Sequence, residues 1–182
     1  VGIGMFEKNY RRDFIDANIR ALRREIQTAR EKTTGVIGVN VMVALTNFSD
    51  LVKTAVAEKV DIIFSGAGLP MNLPEYLTKG AKTKLVPIVS SGRAADILCK
   101  KWKTLYDYLP DAFVVEGPKA GGHLGFKREQ LDNPDFSLEK LVPDVVSHVK
   151  PYEEKYNKSI PVIAAGGIYS GADIKNIMDL GA

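Results

Sequence analysis

Few residues in this chain are of types that do acid–base or nucleophilic chemistry near neutral pH: two histidines, His123 and His148, and one cysteine, Cys99. His123 is set apart by its surroundings, Ala120-Gly121-Gly122-His123-Leu124-Gly125. An imidazole titrates near neutrality and can take or give a proton. The glycines leave room for a planar ligand beside the ring. On the residues alone two readings stand, a histidine that serves a reaction and a loop histidine that only hydrogen-bonds backbone. His148 falls in an apolar helical stretch and reads as structural. Cys99, within Ala95-Asp96-Ile97-Leu98-Cys99, reads as a buried inert thiol. A lone cysteine forms no internal disulfide and fits a reducing cytoplasm. No HxH, CxxC or HExxH pattern offers a metal site, and no Walker or Rossmann glycine pattern is present.

Other candidates follow short apolar runs: Asn40 in Gly38-Val39-Asn40, Ser65 and Gly66 before Ala67-Gly68-Leu69-Pro70, and Ser90 with Ser91 before Gly92. Glu116-Gly117-Pro118-Lys119 leads into the His123 loop, and Gly166-Gly167-Ile168 follows Ala164-Ala165. Glycine at such points lets backbone approach a ligand and present N–H groups. The Gly166-Gly167 turn ends an apolar run just before a helix opening near Ser170. It suits an anion such as a phosphate, or is a plain strand-to-helix turn.

The elements that must position these residues recur at a steady interval. Apolar runs cover Val36–Met42, Asp61–Ser65, Leu85–Ser90, Ala112–Glu116 and Ile160–Ala165, the first four beginning at residues 36, 61, 85 and 112. They are continuous rather than alternating, as in strands buried on both faces of a parallel sheet. Counting Val1–Gly4 as a strand tail gives six strands. Between them lie helical patterns at Asp13–Lys32 (stripe Ile15, Ile19, Leu22, Ile26), Leu51–Glu58 capped by Ser49-Asp50, Ala94–Tyr108, Ser137–Tyr156 and Ser170–Leu180. Pro143 and Pro151 are expected at turns or breaks in the fourth. This α/β order fits either an open doubly wound sheet or a closed barrel.

Composition adds limits. With 25 Lys+Arg against 22 Asp+Glu the net charge is +3, too small and too interspersed to argue for nucleic acid. The basic cluster Arg11-Arg12 and Arg20 to Arg30 reads as a solvated helix face. No run of about 18 apolar residues exists to span a membrane. The chain opens Val1-Gly2-Ile3-Gly4 and stops at Leu180-Gly181-Ala182; we expect residues 1–182 to form one domain, truncated at both ends.

Together, Gly38-Val39-Asn40, the Glu116–Gly125 segment and Ala164-Ala165-Gly166-Gly167-Ile168 resemble the nitronate monooxygenases, also called 2-nitropropane dioxygenases. The FMN-dependent enoyl-acyl-carrier-protein reductases belong to the same superfamily. The resemblance implies a (β/α)8 TIM barrel, here incomplete at about strands two to seven, with FMN as cofactor. It implies that Asn40 contacts the flavin and that Glu116, where the family often has Gln, approaches it. Gly121 and Gly122 would lie against the cofactor, with Gly166 and Gly167 on its phosphate. His123 would face the substrate as base or hydrogen-bond donor, and Ser65, Gly66, Ser90 and Ser91 would line the substrate side. The implied reaction oxidises nitronates or nitroalkanes with molecular oxygen, in a cytoplasmic enzyme that could dimerise through exposed strand edges. Two alternatives stay open: an FMN-dependent enoyl reductase using NAD(P)H, and a non-catalytic flavin- or phosphate-binding barrel fragment.

Overall fold

The computed structural model describes residues 3–182. Its five strands are β1 (Gly38–Met42), β2 (Ile62–Gly66), β3 (Lys84–Val89), β4 (Phe113–Glu116) and β5 (Val162–Ala165). Its helices are α1 (Phe14–Lys32), α2 (Phe48–Ala57), α3 (Gly92–Tyr106), α4 (Leu138–Tyr156) and α5 (Gly171–Asp179). One 3-10 turn interrupts the loop after β2, and two interrupt the long loop between β4 and α4.

The strands are all parallel and follow one another in chain order, β1-β2-β3-β4-β5. A doubly wound sheet reverses its order at a switch point; here there is no reversal. The sheet is therefore a segment of barrel wall, as the resemblance implied. The expected strand tail at Val1–Gly4 is corrected in part. Val1 and Gly2 lie outside the described residues, and Ile3 and Gly4 sit in a turn. Gly4 is pressed on α1, its N–H donating to the buried Asn18 amide oxygen at 2.9 Å.

Register assigns the faces. Val41, Ile63, Leu85, Val89, Phe113, Val115 and Val162 turn outward and pack with Val52, Leu98, Trp102, Val142 and Val145 in the main core. Phe64, Val86, Ile88, Val114 and Ala165 point the other way and form a smaller apolar cluster with Ile62 and Ala112, the inner wall. Both faces of the strands are apolar, so the runs read as continuous. Trp102, fully buried, donates its indole N–H to the Pro70 carbonyl at 3.0 Å and ties α3 to the loop after β2.

Helix boundaries fall within two residues of expectation except at α2, which opens three residues early: Asn47 is its N-cap, and Ser49 and Asp50, expected to cap it, lie inside its first turn. Two further expectations are corrected. Leu22 and Ile26 of the α1 stripe are buried, but Ile15 is exposed, because the buried face of α1 rotates toward Ala17, Asn18 and Ala21. Pro143 and Pro151 neither break nor end α4, which runs through both. The buried face of α4 is Leu138, Leu141, Val142, Val145 and Val149. At 100° per residue both prolines lie on the opposite side, where a carbonyl that loses its ladder partner can turn to water. Burial of that stripe outweighs helix propensity.

The basic face of α1 pairs with neighbouring acids: Arg23 with Glu58, Arg24 with Glu7, and Arg30 with Asp61 at 2.7 Å. His148 is structural as expected. Its Nδ1 lies 2.8 Å from the Asp144 carbonyl oxygen, and an added Cβ on Gly92 would stand only 2.2 Å from it. Among the described residues no helix is long and apolar enough to cross a membrane.

Candidate active site at the mouth of the sheet

The carboxyl ends of β1 to β4 open on a cavity of about 360 Å³ lined by Ala44, Ala67, Gly68, Leu69, Ile88, Ser90, Glu116 and His123, among others. It lies where catalytic residues of βα barrels gather, because each strand delivers its last inward side chain and the following loop to that rim. Glu116 ends β4 opposite Ala165 of β5, on the inner-wall side. Burial alone pushes its carboxyl pKa up from the ordinary value. Ser90 follows β3, and the loop bearing His123 folds over it. That close approach needs Gly125, whose added Cβ would meet the Ser90 hydroxyl at 2.8 Å. His123 itself is exposed at the cavity rim.

The residues singled out in the sequence separate into groups. Ser90, Glu116 and His123 share this cavity. Gly166 and Gly167 line a second one, of about 350 Å³, with Gly117, Lys119, Ser137 and Asp173. Both glycines are left-handed, at φ +100° and +75°. A Cβ at Gly166 would strike the Ala120 backbone at 2.6 Å, so chain packing by itself requires glycine there. Among the described residues the N–H groups of Gly166, Gly167 and Ile168 donate to no protein acceptor. Three successive free donors at a strand end fit an anion. The Asp173 carboxylate beside them is engaged: it accepts from Tyr169 N, Ser170 N and the Ser170 hydroxyl, which holds its pKa below the usual range.

Gly121 and Gly122 lie in the loop before His123. Nothing stands within 4 Å of a Cβ built on either, and only Gly122 has a positive φ, +84°. No packing or backbone constraint inside the chain accounts for Gly121, so the space it leaves is open to a bound group. Asn40 lies exposed on β1 opposite Phe64, in the inner-wall register.

Three residues expected on the substrate side do not line this cavity. Ser65 is fully buried on the helix-facing side and donates its hydroxyl to the Val41 carbonyl at 3.0 Å. Gly66 is buried under Ile88, which a Cβ would meet at 2.9 Å. Ser91 caps α3, accepting from Ala94 N at 3.3 Å. The cavity is lined instead by the residues that follow β2, Ala67, Gly68 and Leu69, together with Ala44, Leu124 and Gly125. Ala67 adopts φ +53°, a strained conformation for a residue with a Cβ. Its neighbours in Gly66-Ala67-Gly68 carry the only sequence signal for it. Cys99 is buried, its thiol pushed up to about 12 by that burial, as an inert side chain should be. Among the described residues no group of three or more His, Cys, Asp or Glu could hold a metal.

A family model described as nitronate monooxygenase matches residues 10–182. A probable nitronate monooxygenase of Staphylococcus aureus (strain MSSA476) is 30% identical over 132 residues, 72% of this chain and 33% of that protein. One from Staphylococcus haemolyticus is 27% identical over 137 residues, 74% of this chain and 34% of that protein. The chain thus spans about a third of these curated relatives. Among solved structures, FabK from Thermotoga maritima superimposes with a TM-score of 0.69 at 32% identity, covering 90% of this chain and 44% of that one. A nitroalkane oxidase from Streptomyces ansochromogenes shares the fold with a TM-score of 0.71 at 20% identity, over 90% of this chain and 52% of that one. With a match across 10–182, nearly the whole chain, this chain belongs to the nitronate monooxygenase family.

Proposed function

We propose that residues 1–182 form one domain whose mouth holds FMN and oxidises nitronates or nitroalkanes with molecular oxygen. The observation that carries the reading is the meeting of Glu116, Ser90 and His123 on one cavity at the carboxyl ends of the strands. The free amides of Gly166, Gly167 and Ile168 would hold the FMN phosphate. Gly121 and Gly122 would leave room for the ring system, and Asn40 would hydrogen-bond it from β1. Bound FMN would supply the redox chemistry; the protein supplies placement and protons. His123, at the rim of a largely apolar cavity, takes a proton from a substrate carbon or donates a hydrogen bond to a substrate oxygen. A cytoplasmic protein fits the reading, Cys99 being buried and reduced. A homodimer through the free edges of β1 and β5 would shield their unpaired backbone groups, and sedimentation would register it.

A second reading, an FMN-dependent enoyl reductase using NAD(P)H, draws on the apolar lining by Leu69, Ile88, Val89 and Leu124. Anaerobic bleaching of the flavin by NADH favours it; oxygen uptake with 2-nitropropane favours the first.

The test is the visible spectrum of the protein before and after addition of FMN and desalting, followed by turnover of His123→Ala. Retained flavin with turnover reduced by about 10²–10⁴, the usual worth of a general acid or base, is the expected result. Loss of flavin with unaltered chemistry per bound cofactor would refute the role of His123.

A further inference from the structure

Two turns interlock beside the cavity that Gly166 and Gly167 line. Gly117-Pro118-Lys119-Ala120 forms a β-turn after β4, closed by the Ala120 N–H donating to the Gly117 carbonyl at 3.0 Å, with proline at the second position as such turns favour. The turn after β5 is pressed against it. A Cβ on Gly166 would strike Ala120 N at 2.6 Å, and one on Gly167 would stand 3.0 Å from both Cβ and Cδ of Lys119. The Lys119 stem thus crosses Gly167 in the space that a side chain there would need. Among the described residues the Lys119 ammonium makes no ion pair and no hydrogen bond.

The ionisable residues lining this cavity are Lys119, Asp132, Glu139 and Asp173. The start of α5 is already capped from within the chain. The Asp173 carboxylate accepts from Tyr169 N, Ser170 N and the Ser170 hydroxyl, and the Asp173 N–H donates to that hydroxyl. The Ser170 hydroxyl is the chief influence holding the Asp173 pKa down, and the charge on Lys119 the least, so Asp173 leaves Lys119 free. An anion on the Gly166, Gly167 and Ile168 amides therefore faces three carboxylates around a cavity of about 350 Å³. Amide donors offer partial charges, and full charges in a poorly solvated space act against them strongly. Among the described lining residues only Lys119 brings a full positive charge.

We propose that Lys119 is the counter-charge for the FMN phosphate, reaching over Gly167 to close a clamp whose other half is the amides of Gly166, Gly167 and Ile168. The proposal rests on the reading that those amides hold the phosphate, and it adds the residue that lets them do so beside Asp132, Glu139 and Asp173. It also gives Gly167 a second reason to be glycine, besides its φ of +75°.

Riboflavin, which is FMN without its phosphate, separates the clamp from the rest of the site. Both flavins are titrated into the protein at low salt, where charge pairs are least screened, with flavin fluorescence giving each Kd. The wild type is expected to bind FMN more tightly than riboflavin. Lys119→Gln should cut that preference about tenfold, all of it through weaker FMN binding, the scale of one charge-assisted hydrogen bond. Lys119→Arg should keep the preference within about threefold of wild type, and Lys119→Glu should abolish it. Lys119 is exposed, and unchanged riboflavin binding in each variant shows that the fold is intact. A preference for FMN that survives both Lys119→Gln and Lys119→Glu overturns the proposal and leaves the amide reading standing. A wild type that binds FMN no more tightly than riboflavin removes the amide reading, and the proposal falls with it.

Discussion

Gly125 sits over Ser90 so closely that a Cβ on the glycine would stand 2.8 Å from the serine hydroxyl oxygen and 3.5 Å from its Cβ. The first distance is a clash and the second an ordinary contact. The loop carrying His123 therefore rests on the residue that follows β3, and the pair sets the height of the imidazole above the cavity. Gly125→Ala should lift the loop, costing about 1–3 kcal/mol of stability as an overpacked contact and weakening whatever the cavity binds. Ser90→Ala in the same chain removes the clashing oxygen and should restore most of the loss. A double-mutant cycle by chemical denaturation checks this; purely additive effects would mean the two residues do not bear on each other.

Legibility in the sequence followed the physics of each element. Strands buried on both faces announce themselves as unbroken apolar runs, so β1 to β5 were readable. Whether they form a barrel was not, since that depends on which strands pair, a non-local property absent from any local pattern. Pro143 and Pro151 misled for a related reason. Their cost is local and visible, whereas the stripe from Leu138 to Val149 that offsets it acts only once α4 is packed. In the site, Ser65 and Gly66 are the last residues of β2 and face helices and inner wall. A hydroxyl type says that a residue can hydrogen-bond, and the register decides with what. Here Ser65 bonds Val41, and the cavity falls to Ala67 and Gly68.

Pro151 is exposed on the outer side of α4, inside the helix, and removes one ladder hydrogen bond there. Pro151→Ala should raise stability by about 1–2 kcal/mol. That is the helix-interior penalty of proline, less the unfolded-state freedom that alanine regains. The shift in denaturation midpoint measures it; a loss of stability would mean that the proline ring packs against something α4 needs.

Cys99 is fully buried on α3, with its thiol held protonated to about pH 12 by desolvation and, less so, by Asp96. A thiol-specific reagent at pH 8 should therefore modify the native protein only at the rate at which the chain opens, and the unfolded protein at once. Labelling whose rate keeps rising with reagent concentration, without reaching a plateau set by opening, would show a path to the thiol through the native fold.

Asp111 is the most heavily tied carboxylate outside the site. Its side chain is 10% exposed. It accepts from the Tyr108 hydroxyl and from Leu85 N at 2.9 Å, and lies 3.3 Å from both Lys84 and Lys158. Burial is the largest single influence on it and pulls its pKa up, but the Tyr108 and Leu85 hydrogen bonds and the two lysines together outweigh burial and leave it lowered. A carboxyl whose folded pKa lies below its unfolded one stabilises the fold above the unfolded value, about 4, and loses that contribution as pH falls through the folded value. Asp111→Asn should therefore cost about 1.5–3 kcal/mol at pH 7, because an amide whose oxygen accepts from Tyr108 and Leu85 N turns its NH2 group toward Lys84 and Lys158 and carries no charge for them. The cost should shrink below about pH 4, where the wild-type carboxylate is itself being protonated. Urea denaturation of both proteins at pH 7 and at about pH 3 gives the two differences. A difference that stays constant between those pH values would show that Asp111 acts through shape and hydrogen bonding alone, with its charge contributing nothing.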